Sequence, residues 1–207
     1  MKRIGVMGGS FNPIHNGHIE IAREAAKQLR LDKVLFIPVG NHPFAKTNMA
    51  DDKDRYNMVK LSVDREELFE ACDIEISRKG FSYTVDTLRE LKDIYSDSEL
   101  FFIVGADILE ELGMWKDVSE IFKLCKFVVV YRPIYAFAAF YSMIEKVEKE
   151  YDVKIEVVEV PGNYISSTAI REMANRREVI AEYVADEVEK YILNKKLFIE
   201  KESDDIC

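Results

Sequence analysis

The stretch Gly8-Gly9-Ser10-Phe11-Asn12-Pro13-Ile14-His15-Asn16-Gly17-His18 gathers groups that bind phosphate. Gly8 and Gly9 let a backbone or a ligand approach closely. Ser10 offers a hydroxyl with free amides nearby, and Asn12-Pro13 imposes a turn. His15 and His18 are three apart, so both can sit on one face of a helix entrance. A helix start presents unpaired N–H groups and the positive end of a dipole, and two imidazoles aimed there can donate to phosphate oxygens. The chain has only three histidines, and two of them are in this turn. The glycines fit neither GxGxxG nor GxxxxGK[ST], so neither the dinucleotide fingerprint nor the Walker loop applies. A tight strand-to-helix turn with capping or packing histidines is the structural alternative. Zinc binding is disfavoured, because helical zinc pairs prefer i, i+4 spacing and no third ligand is suggested.

A second constellation is Ile165-Ser166-Ser167-Thr168-Ala169-Ile170-Arg171. Ser166 or Ser167 serves as an N-cap, and the hydroxyl run with its amides makes another anion-binding helix start. Arg171 lies one turn on and can reach the same anion with a bidentate fork. An ordinary capped helix with a surface arginine is the alternative. Two such helix starts in one chain favour a phosphate ligand.

Alternating strands and helices must position these groups. Strands are expected at Arg3–Met7, Val34–Pro38, Asp73–Ser77, Glu99–Val104, Phe127–Tyr131 and Lys154–Val160. Helices are expected at Asn16–Arg30, Asp51–Asp64, Thr84–Tyr95 with Thr84 as N-cap, Val118–Leu124, Ala136–Glu150, Ser167–Asn175 and Asp186–Leu197. The pattern implies an α/β fold: a Rossmann-like, doubly wound parallel sheet with helices on both faces and a small C-terminal helical part at about 166–198. Such sheets bind ligands beyond the carboxyl ends of their strands, at the switch point, where both constellations fall. Gly40–Asp52 reads as a mobile loop over the strand ends.

At 207 residues the chain fits one domain over 1–207. Hydrophobic residues at 48% and charged residues at 32% rule out disorder and collagen-like order. No apolar run approaches the length of a membrane helix. A net charge of −9 argues against a protein that grips long nucleic acid through its phosphates. A small anion remains compatible, because a few donors can reverse the field inside one cleft. Three scattered cysteines, Cys72, Cys125 and Cys207, suit neither a disulfide framework nor a zinc knuckle, and a cytoplasmic location is expected.

These motifs resemble the HxGH-type nucleotidyltransferases, with His15-Asn16-Gly17-His18 as the HxGH motif and ISSTAIR roughly 150 residues later. Three stretches narrow the resemblance to the bacterial nicotinate mononucleotide adenylyltransferases: Phe81–Leu88 (FSYTVDTL), Phe102–Asp107 (FIVGAD) with Trp115-Lys116, and Phe127–Pro133 (FVVVYRP). The similarity runs from about Lys2 to about Leu197. It implies that Gly8, Gly9, Ser10 and Phe11 hold the adenylate side and that His15 and His18 contact the ATP phosphates. Gly105 and Asp107 would hold the adenylate and its ribose. Ser167, Thr168 and Arg171 would bind the β and γ phosphates. Thr84, Trp115 and Arg132 would border the mononucleotide, with Trp115 stacking on the pyridine. The family's PPHK-type loop is here Gly40-Asn41-His42-Pro43-Phe44-Ala45-Lys46, with Lys46 displaced by one residue as the candidate phosphate ligand. A second departure, Asn175-Arg176-Arg177-Glu178 in place of a glycine turn, bears on the closing helices rather than the chemistry.

The implied partners are ATP, arriving with Mg²⁺, and nicotinate mononucleotide, with the acid preferred over the amide. The reaction is in-line attack by the mononucleotide phosphate on the α phosphorus of ATP. That phosphate is already ionised, so no general base and no covalent intermediate are needed. The rival readings are a relative with another phosphate acceptor and a nucleotide-binding regulator without chemistry. The SYTVDTL and Trp115 segments oppose the first, and His15, His18 and Arg171 the second. Oligomeric state is not legible.

Overall fold

The structure is a computed structural model that describes residues 1–41, 49–132, 136–162 and 165–199. Its centre is a six-stranded sheet built from β1 (Lys2–Gly9), β2 (Lys33–Pro38), β3 (Phe69–Ala71), β4 (Ser98–Gly105), β5 (Lys126–Tyr131) and β6 (Ile155–Glu159). The strand order is β3-β2-β1-β4-β5-β6 and every pairing is parallel. The central strands each carry an unbroken non-polar run, Ile4–Met7, Leu100–Val104 and Phe127–Val130, as sheets covered on both faces require. The order reverses between β1 and β4, so their carboxyl ends, Gly8-Gly9 and Gly105, flank the crevice where such folds bind ligands.

Helices fill both faces. α1 (Asn16–Leu29), α2 (Asp52–Val63), α7 (Ser167–Asn175) and α8 (Asp186–Lys195) supply one core cluster with Ala22, Met58, Ile170 and Val188. α3 (Thr84–Ile94), α4 (Ile108–Glu111), α5 (Val118–Leu124) and α6 (Phe137–Tyr151) supply the other with Leu88, Leu109, Ile121 and Phe140. Among the described residues no helix is long and apolar enough to cross a membrane.

Two expectations need correction. The third strand is Phe69–Ala71, paired with β2, and not Asp73–Ser77. Residues 73–77 instead form a turn: the Ser77 N–H donates to the Asp73 carbonyl at 2.8 Å and the Ser77 hydroxyl to the Asp73 carboxylate at 2.9 Å. Short polar side chains that satisfy the local backbone outcompete the alternating pattern there. Thr84 is the first residue inside α3, with Tyr83 at the cap position and no side-chain cap bond. Arg177, in the segment that departs from the family's glycine turn, adopts φ 58°, the left-handed conformation a glycine would favour. The C-terminal helices α7 and α8 pack into the first core cluster.

Candidate active site

A cleft of about 630 Å³ opens at the switch point, within the range of small-ligand sites. Gly8, Gly9 and Ser10 form its floor on the β1 side. A Cβ added to Gly8 would meet only Phe102, at 3.9 Å, so packing does not demand a glycine there. Its missing side chain leaves room in the cleft. Phe11 is buried below this floor in the left-handed region, φ 43°, following the turn into the cis Asn12-Pro13 peptide.

His15 caps α1 and is buried, whereas His18 lines the cleft. Their rings stack with centroids 3.8 Å apart. The His15 N–H donates to His18 Nδ1 at 3.2 Å, which makes Nδ1 an acceptor and puts the proton of the neutral ring on Nε2. Burial, and then the Arg132 charge, pushes His15 from 6.5 down to about 4. Burial, His15 and Arg132 hold His18 well below 6.5. Both rings are held toward the neutral form, which leaves His18 Nε2–H as a donor that carries no charge. The Asn16 N–H goes to the Tyr183 carbonyl and the His18 and Ile19 N–H groups to the His15 carbonyl. The α1 start thus offers an anion fewer free amides than the sequence suggests.

The ISSTAIR residues stand beside this loop rather than in the cleft wall. Ser166 is the N-cap of α7, its hydroxyl accepting from the Ala169 N–H at 3.2 Å. The Ser167 hydroxyl donates to the Pro13 carbonyl at 2.9 Å. Arg171 donates to the Asn12 carbonyl at 2.8 Å and to the Thr168 hydroxyl at 3.1 Å. Two residues of α7, Ser167 and Arg171, are thereby joined to the loop that opens α1, and the two helix starts become one surface.

The opposite wall carries Thr84, Gly105, Asp107, Trp115 and Arg132. A Cβ on Gly105 would collide with Asp107 Oδ1, so glycine lets that carboxylate fold back over the end of β4. Asp107 makes no side-chain cap bond to α4, which leaves it available to a ligand. Trp115 packs edge-on against Phe102, centroids 6.1 Å apart, while lining the cleft. At the α3 start, the Asp86 and Thr87 N–H groups bond to the Tyr83 carbonyl. Among the described residues the Thr84 and Val85 N–H groups have no acceptor. Arg132 was expected at the mononucleotide border, but its charge also reaches both histidines. Lys46 lies outside the described residues.

Residues 6–173 match the Cytidylyltransferase-like family. The chain is 41% identical over 196 residues to a probable nicotinate-nucleotide adenylyltransferase of Clostridium novyi (strain NT), covering 94% of this chain and 98% of the relative. It is 39% identical over 206 residues to another from Thermoanaerobacter sp. (strain X514), covering 99% and 98%. The chain belongs to the nicotinate-nucleotide adenylyltransferase family. A solved structure of Plasmodium falciparum nicotinic acid mononucleotide adenylyltransferase complexed with NaAD shares its fold, with TM-score 0.76 and 17% identity over 96% of this chain and 98% of that one. In this family member two cleft-side residues escaped the sequence reading. Glu75 lines the cleft, accepting from the Thr87 hydroxyl at 2.8 Å and from the Gly40 N–H at 3.3 Å. Arg55 lies under the floor, fully buried. Its signal was its place on the inner stripe of α2 with Met58, Val59 and Val63, where a charged residue is out of character.

Proposed function

We propose that this cleft joins ATP to nicotinate mononucleotide, giving nicotinate adenine dinucleotide and pyrophosphate as a step of NAD biosynthesis. The observation that carries the reading is convergence: Gly8, His18, Thr84, Gly105, Trp115 and Arg132 come from separate stretches of chain and line one cleft. Adenosine lies over Gly8-Gly9 and against Gly105 and Asp107. The α phosphate rests on His18 Nε2–H, with Arg132 supplying positive charge in a chain of net charge −9. Ser167, Thr168 and Arg171 receive the leaving pyrophosphate. ATP enters as its Mg²⁺ complex, the metal being part of the substrate. Neutral donors fixed before the substrate arrives stabilise charge as it develops, without reorganisation. No proton needs to be removed from the attacking phosphate, which fits histidines held neutral and not poised as bases.

The nicotinate carboxylate is placed at the α3 start, where the Thr84 and Val85 N–H groups and the helix dipole favour an acceptor-only group. A carboxamide would turn its own NH₂ toward a donor. One mismatched donor and the lost charge are worth about 2–4 kcal/mol, roughly 30- to 1,000-fold in specificity. The test is kcat/KM for pyrophosphate release with nicotinate mononucleotide, nicotinamide mononucleotide and phosphopantetheine at saturating MgATP. Preference for the acid by this margin supports the assignment. Equal use of acid and amide, or release only with phosphopantetheine, overturns it. A cytoplasmic location agrees with Cys72 and Cys125 being free thiols.

A further inference from the structure

We propose that Arg55 is a positioning residue for adenylyl transfer, acting through the Ser10-Phe11 turn to hold the His18 ring in its donor orientation. Its side chain is wholly buried, and its guanidinium serves four acceptors. Nη1 donates to the Ser10 carbonyl at 2.8 Å, Nη2 to the Val39 carbonyl at 2.5 Å and to Asp52 Oδ1 at 2.6 Å, and Nε to the Ala50 carbonyl at 3.2 Å. A planar fork with five N–H donors meets that demand; a lysine ammonium, with three donors on one atom, does not.

The bond to Ser10 matters most. In a trans peptide the carbonyl and the next N–H point in opposite directions. Fixing the Ser10 carbonyl toward Arg55 therefore fixes the orientation of the Ser10-Phe11 peptide. Phe11 is held at φ 43°, a conformation that costs an L-residue energy and persists only where its surroundings impose it. Arg55 supplies that constraint from one side. Asn12 adds to it, its Oδ1 accepting from the Ala50 N–H at 3.0 Å. The Phe11 ring then meets His18 edge-on, centroids 5.1 Å apart, and also packs against Phe36 at 5.9 Å. A continuous chain of contacts thus runs from a buried guanidinium to the imidazole that faces the cleft. Arg55 does not line the cleft, so its part is geometric.

A purely structural arginine would lower stability and leave each folded molecule fully active. A positioning arginine lowers turnover while ATP still binds. The proposal rests on His18 as the phosphate donor. If that assignment were wrong, His18→Ala would keep full turnover; if only the role of Arg55 were wrong, His18→Ala would be inactive and the His18 resonances below would stay in place. The variants are Arg55→Lys and, from the far end of the relay, Phe11→Leu. Each is measured for kcat per folded molecule, for the Kd of a non-hydrolysable MgATP analogue, and for the ¹⁵N shifts of His18, which are readily assigned with three histidines in the chain. The expected result is a kcat loss of about 10- to 100-fold, the scale of a sub-ångström to ångström misplacement. Analogue affinity should hold within about threefold, under 1 kcal/mol by the affinity scale. The His18 shifts should leave the Nε2–H pattern. Should Arg55→Lys fail to fold, Asp52→Asn, which weakens one of the four anchors of the guanidinium at a half-exposed side chain, carries the test with the same three measurements. Unmoved His18 shifts, or a kcat unchanged per folded molecule, would overturn the proposal.

Discussion

The stacked histidines make stability depend on pH in a way that can be isolated. His15 is 7% exposed, and its folded value near 4 lies below the 6.5 of an unfolded chain. The folded protein binds this proton less tightly, so between pH 6.5 and pH 4 the unfolded state carries more protons and stability falls as the solution is acidified. Over the whole window the effect is about 3 kcal/mol, and between pH 7 and pH 5 alone it is about 2 kcal/mol. Carboxylates titrating in the same range would blur a wild-type curve, so the quantity to follow is the gap between wild type and His15→Gln. Urea unfolding at pH 5, 6 and 7 gives that gap. Glutamine keeps a polar group of similar size and does not titrate, so any constant cost of the substitution cancels. The stability of wild type relative to the variant should drop by about 2 kcal/mol on going from pH 7 to pH 5. A gap constant within the error of extrapolation would mean that His15 titrates normally and that burial does not keep the pair neutral.

Two further outcomes follow from the cleft. Gly8→Ala should fold with an unchanged melting temperature, because a Cβ there meets only Phe102 at 3.9 Å, yet weaken ATP by about tenfold through the narrowed floor; calorimetry and a thermal melt check both halves, and unchanged ATP affinity would place adenosine elsewhere. Arg171→Ala should weaken ATP by about 10- to 100-fold, the worth of a lost charge-assisted hydrogen bond, and AMP by much less; equal losses for the two nucleotides would assign Arg171 to the loop it braces at Asn12 alone.

The sheet and most helices were legible because apolar runs of strand length alternate with strongly periodic stretches, and α5 and α7 begin and end where the pattern places them. Legibility failed where local bonds compete with pattern. Asp73–Ser77 alternates like a strand but satisfies its backbone through Asp73, whereas the true edge strand, Phe69–Ala71, is too short to show a period. The helix Ile108–Glu111 and the 3₁₀ turn Leu112–Met114 after Gly105 are likewise too short to show a period. Site residues carried by recognisable loops were placed on or beside the cleft. The bonding of Arg171 to Asn12, the reach of Arg132 to both histidines and the burial of Arg55 depend on which loops the fold brings together. No spacing within the chain encodes those contacts.

The account stands most directly on His18 as a neutral donor to the transferring phosphate. The decisive measurement is single-turnover formation of nicotinate adenine dinucleotide by His18→Ala under saturating MgATP and nicotinate mononucleotide, beside a thermal melt and the Kd of an ATP analogue. Loss of one preorganised donor predicts a rate lower by about 100-fold or more. The variant should remain folded with a lower melting temperature, because it loses the His15 N–H bond to Nδ1 and the ring contact with Phe11. A folded variant that forms the dinucleotide at the wild-type rate would contradict the account.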